Sequence, residues 1–110
     1  MKITNKTKHT VIAAHAVFLK GVFEKAEGLL NAEAPEAVMF RTRWGIHTVG
    51  MKFPIDVIIT DRKHTVKKVK HAMPSGKFLF WNPRYERVIE LPHGAIRSSQ
   101  TDIGDTLEIA

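Results

Sequence analysis

Arg41, His47, Asp56 and Glu90 are the side chains of this chain best suited to chemistry. They supply a guanidinium that can hold an anion through paired hydrogen bonds, an imidazole able to move protons, and two carboxylates set among apolar neighbours. Alternation along extended backbone puts His47, Val49 and Met51 on one face, and Asp56, Ile58 and Thr60 on one face of the next strand. Glu90 shares a face with Val88, between Ile89 and Leu91. A buried carboxylate without partners is costly, so Asp56 is expected to recruit Arg41, Arg43, His47 or a set of backbone amides. Gathered around one cleft, with Met51 and Trp44 beside them, these residues would hold a small anionic or polar ligand. A polar cluster that merely fixes loops is the competing reading.

Other chemistries find less footing. The six His residues, at 9, 15, 47, 64, 71 and 93, show neither HxH nor HExxH spacing, so no metal site is expected. Cys is absent, and Ser75, Ser98 and Ser99 lie in no GxSxG context. Neither GxGxxG nor GxxxxGK[ST] occurs, so no nucleotide cofactor is expected. Catalysis stays open, with the balance against it; a hydrolase or isomerase using His47 and Asp56 as acid and base ranks last.

The formal net charge of +6 favours polyanions, and the basic residues concentrate locally at Arg62, Lys63, Lys67, Lys68 and Lys70. Nucleic-acid binding through this stretch is therefore the alternative function. It needs aromatic side chains on which bases can stack, and Phe78, Phe80, Trp81 and Tyr85 supply them only if the segment carrying them folds alongside. Residues 65–70 read as a strand with Lys on both faces, and an edge strand guarded by Lys against sheet-to-sheet aggregation is the reading favoured over nucleic-acid binding. Trp44 and Trp81 each flank a loop and would line a pocket or fill the core.

Positioning these groups requires a sheet. Ala37–Phe40, Ile46–Met51, Ile55–Thr60 after Pro54, Thr65–Lys70, Tyr85–Leu91 and Thr106–Ile109 read as strands, with a hairpin turn at 61–64. Residues 73–83, rich in Pro and aromatics, read as an irregular loop, and Pro92–Gln100 as a turn or short helix. Between His15 and Glu27, Phe18, Leu19, Val22, Phe23 and Ala26 recur at helical spacing, so an amphipathic helix is expected there, stopped by Gly28. The fold class is α+β and β-dominated: a compact antiparallel, partly barrel-like sheet with one N-terminal helix and a short C-terminal helical turn. At 110 residues without a linker, the chain is expected to form one domain over 1–110.

The stretches Ala37–Arg41, Ile46–Asp61 and Val88–Gly94 resemble the DUF192 family of small, functionally uncharacterised β-rich domains from bacteria and archaea. The resemblance covers roughly residues 10–109, and Ile46-His47-Thr48, Met51, Pro54, Asp56, Glu90 and Gly94 match the family's recurrent positions. It implies a compact β-rich domain, and it places Lys20–Phe23 in a turn that would end the helix early. Many members carry an export signal, a pattern from which this N-terminus departs. With no Cys and no window of about 20 apolar residues, the chain is expected to be cytoplasmic and not membrane-bound. The expected partner is a small anionic ligand, with nucleic acid second and the oligomeric state open.

Overall fold

The computed structural model describes residues 1–19 and 37–110. The strands are β1 (Ile3–Asn5), β2 (Thr10–Ala13), β3 (Ala16–Phe18), β4 (Ala37–Arg41), β5 (Gly45–His47), β6 (Ile55–Thr60), β7 (Val66–Met73), β8 (Phe78–Phe80), β9 (Arg87–Pro92) and β10 (Leu107–Ile109). One short helix, α1 (Ala95–Ser98), follows β9. The strands form a central five-stranded sheet in the order β3-β4-β9-β6-β7, a three-stranded sheet β10-β1-β2 and a two-stranded ribbon β5-β8.

The run Ile-Asp-Val-Ile-Ile-Thr of β6 explains why the central sheet is covered on both sides. β-branched residues favour the extended chain, and a strand apolar at odd and even positions must bury both faces. Val57 and Ile59 join Val38, Phe40 and Val88 under the ribbon residues Ile46 and Leu79 and under Trp81, which follows β8. On the other face, Ile58, Met39, Ile89 and Leu91 pack against Ile3, Ile12, Ile96 and Leu107. Three layers result, with the ribbon on one side of the central sheet and β10-β1-β2 on the other. Among the described residues no sheet closes on itself, which corrects the partly barrel-like expectation: the ribbon and the outer sheet cap the central sheet instead.

The N-terminal helix needs a second correction. Residues 16–18 are strand β3, paired in parallel with β4, so no helix starts at His15. Covering the open edge of β4 gives these backbone groups partners, and that outweighs the helical spacing of their side chains. The rest of the expected helix, from Lys20 onward, lies outside the described residues. The segment read as a loop over 73–83 contains β8, and β1 and β2 were not foreseen.

Two bulges shape β7. Ile55 pairs with Met73 and Val57 with Lys70, which leaves His71 and Ala72 together opposite Asp56. Ile59 pairs with Lys68 and Thr60 with Val66, which leaves Lys67 as an extra residue.

The chain ends are joined in the outer sheet. Lys2 N–H donates to the Ala110 carbonyl at 2.7 Å and Ala110 N–H to the Lys2 carbonyl at 3.0 Å. At the other end of the β1–β10 pairing Asp105 Oδ2 accepts from Asn5 Nδ2 at 2.9 Å, Lys8 Nζ at 3.0 Å and the Asp102 amide at 3.0 Å. Burial opposes the charged form of Asp105, but the hydrogen bonds from Asn5, the Asp102 amide and Lys8 together outweigh it and hold the carboxyl below its ordinary value of 3.8. A carboxylate lowered on folding stabilises the fold above its unfolded value and loses that contribution as pH falls through the lowered one. Urea titrations are therefore expected to show Asp105→Asn less stable than the parent near neutral pH, with the gap narrowing as pH falls below about 4. A gap constant with pH would refute the coupling.

Candidate functional site

Asp56 is fully buried in β6, and its carboxylate binds backbone amides rather than a cationic side chain. Oδ1 accepts the Ala72 N–H at 2.8 Å, while Oδ2 accepts those of Gly94 and Ile96, each at 3.0 Å. Of the partners expected for it, the amides are found; Arg41, Arg43 and His47 are not among its hydrogen bonds. The bulge makes this possible by turning Ala72 into the left-handed region, at φ 46°, where its N–H points back at β6. Gly94, at φ 95°, makes the corresponding turn after β9 and starts α1. At Ala72, unlike Gly94, left-handed backbone is strained and persists only where its surroundings fix it. Here one carboxylate fixes both turns.

Around this point lies a cavity of about 200 Å³ lined by Asp56, His71, Ala72, His93, Gly94 and Arg97. His71, His93 and Arg97 are exposed at its rim. Two imidazoles and a guanidinium thus stand over a pocket whose floor is a carboxylate that already accepts three N–H donors.

The other expected residues lie elsewhere. Asp56 pairs opposite Leu91 and shares its face, whereas Glu90 pairs opposite Val38 and Val57, on the ribbon side. The central sheet itself therefore separates the two carboxylates, and no single cleft can hold both. Arg41 is exposed at the end of β4, across from Arg87. His47 is exposed on the ribbon, its Nδ1 accepting the Val49 N–H at 3.3 Å and its ring 6.0 Å from that of Phe78. Met51 is buried in the ribbon-side core, and Trp44 is 66% exposed in a turn at φ 74°. Thr48 is buried and structural: its hydroxyl donates to the Pro74 carbonyl at 2.6 Å and accepts the Lys77 N–H at 3.0 Å. The rim residues His71, His93 and Arg97 were not singled out in the sequence, because only the bulge and the turn at Gly94 bring them together. Among the described residues, no three His, Cys, Asp or Glu side chains gather as a metal would need.

The basic stretch has its own geometry. Arg62, Lys63, Lys67 and Arg84 surround Asp61 and Tyr85 in an open cleft of about 480 Å³. Lys67 Nζ sits 5.6 Å from the centre of the Tyr85 ring and 3.9 Å from Asp61.

These features define a small β-dominated α+β protein whose polar groups sit at bulges and turns around a doubly covered sheet. The chain belongs to the DUF192 family, described as Uncharacterized ACR, which matches residues 3–109. It is similar to the crystal structure of a protein of unknown function from Novosphingobium aromaticivorans, with TM-score 0.79 and 15% identity over 98% of this chain and 82% of that one. It is also similar to a Sinorhizobium meliloti protein described as a candidate transcription regulator, with TM-score 0.73 and 13% identity over 97% of this chain and 89% of that one. At such identities the likeness shows the fold alone. No curated protein matches the chain. Among the described residues no helix is long and apolar enough to cross a membrane.

Removing the Asp56 carboxylate leaves three amide donors without their acceptor, and hydrogen bonds to a charged group are worth about 1.5–3 kcal/mol each. Asp56→Ala is expected to lose about 3 kcal/mol or more of unfolding free energy in urea titrations. A loss under about 1 kcal/mol would show that the carboxylate does not hold the two turns.

Proposed function

We propose that the chain binds a small anion, an inorganic oxyanion or a short carboxylate, in the cavity beneath His71, His93 and Arg97. The observation that carries this reading is the convergence of those three side chains on one cavity with a fixed floor. Arg97 provides the planar donor set that suits oxyanions, and the imidazoles add hydrogen-bond donors beside it. Size supports a small ligand. A volume of about 200 Å³ falls below the roughly 300–1,000 Å³ of drug-sized pockets, yet exceeds by several times the roughly 30 Å³ of one water. Because the oxygens of Asp56 are committed to backbone amides, its charge is offset locally and opposes an incoming anion less than a bare carboxylate would.

In this reading the protein is a binding or accessory domain acting in the cytoplasm, where absent disulfides cost nothing. A hydrolase or isomerase built on His47 and Asp56 has less support, since the imidazole lies on the outer ribbon and shares no hydrogen bond with the sealed carboxylate.

Thermal unfolding should be followed against phosphate, sulfate and a series of short carboxylates. An anion at about tenfold its Kd adds about 1.4 kcal/mol, or about 5 °C of Tm for a domain this size. Arg97→Ala, at an exposed position, is expected to abolish the rise while leaving the unliganded Tm within about 2 °C of the parent. No rise with any of the anions, or an equal rise in Arg97→Ala, would sink the proposal.

A further inference from the structure

We propose that the ribbon side of the molecule is a binding surface for single-stranded nucleic acid, with Lys67, Lys68 and Lys70 holding phosphates and Phe78 and Phe80 stacking on bases. The register of β7 supplies the cations. Residues directly opposite in an antiparallel pair face the same way, and Lys68 and Lys70 lie opposite Ile59 and Val57, both of which point into the ribbon-side core. Plain alternation would send Lys67 to the far face. The bulge turns it back, so that it lies against Tyr85, which packs on the same ribbon-side core. Three lysines thus form one row along the edge strand, rather than dividing between two faces as the sequence suggested.

The ribbon supplies the stacking groups. Leu79 points into the core, so Phe78 and Phe80 point outward, exposed by 63% and 66%. Their ring planes lie within 5° of parallel, with centroids 6.2 Å apart. Gly45 leaves room for the Phe80 ring, since a Cβ there would stand 2.7 Å from Phe80 Cδ1. Lys68 Nζ donates to the Phe80 carbonyl at 3.0 Å, which brings the row of cations directly to the aromatic strip. Beyond it, an open cleft gathers the four cations Arg62, Lys63, Lys67 and Arg84 around Asp61.

An edge strand guarded by lysine accounts for β7 but not for two large apolar rings held parallel in solvent beside it. A cationic row beside exposed rings matches a polymer that offers phosphates and unpaired bases side by side. Double helices bury their base faces, so the preference is for single strands.

Fluorescence anisotropy with a short single-stranded RNA, the matching DNA and the corresponding duplex tests this, with folding of each variant checked by circular dichroism. Single strands are expected to bind more tightly than duplex. Log affinity should fall against log salt with a slope of about −2, as three neutralised phosphates imply for a single strand. Phe78→Ala with Phe80→Ala is expected to weaken binding about tenfold, and Lys67→Glu with Lys68→Glu to remove most of the salt dependence. Should the lysine pair prove necessary for folding, Lys70→Glu, at an exposed position of the same row, is expected to weaken binding and flatten the salt slope. Lys6→Ala, at an exposed position in the β1–β2 turn of the outer sheet and in neither proposed site, is expected to bind normally. The proposal is overturned by absence of binding near physiological salt, or by equal affinity for duplex. It is also overturned if the phenylalanine variant keeps full affinity, or if those rings instead drive pairing with a second copy of this chain in analytical ultracentrifugation.

Discussion

One carboxylate, sealed in the interior and shared among three backbone amides, holds the polar side of this protein in shape. Asp56 ties the centre of the sheet to the bulge of β7 and to the turn that opens α1. The cost of taking its charge out of water is offset by the three N–H donors that meet it. The cavity under the two imidazoles and Arg97 follows from that arrangement, since Ala72 and Gly94 adopt left-handed backbone where the carboxylate binds them.

The second constraint is the double burial of β6. A strand apolar on both faces needs a cover on each side, and the chain provides unlike covers: a short ribbon on one face and a three-stranded sheet with α1 on the other. The two faces thereby become chemically independent. Asp56 and the imidazole-rimmed cavity belong to one, while Glu90, the lysine row and the exposed phenylalanines belong to the other.

Much of the sheet could be read from the chain. The β-branched run after Pro54 marks β6 to the residue, β4 and β9 fall on the apolar runs within a residue or two of their expected bounds, and the short helix lies inside the span Pro92–Gln100 expected for it. The DUF192 resemblance was legible from the same stretches. Asp56 was recognisable as a carboxylate in need of partners, and the amides that meet the need were among those anticipated. Register was not legible. Whether Glu90 faces the same side as Asp56, or Lys67 the same side as Lys68, depends on pairing and bulges, and a shift of one residue reverses each answer. For the same reason the four residues expected in one cleft are divided by the sheet. β8 was hidden because its three residues sit between turn-forming neighbours, and β3 because its side chains carry a helical spacing that pairing with β4 overrides.

The outer sheet has a kinetic consequence. Its centre, β1, pairs with β2, a few residues on, and with β10, about the whole chain away. Closing so wide a loop costs entropy before any contact compensates it, so the β1–β10 seam belongs to the late part of folding. Until it shuts, Ile3 and Leu107 lack part of their cover, and the inner sheet exposes the face that ends up under them. The half-assembled molecule is thus most prone to stick to its neighbours along the side opposite the ribbon.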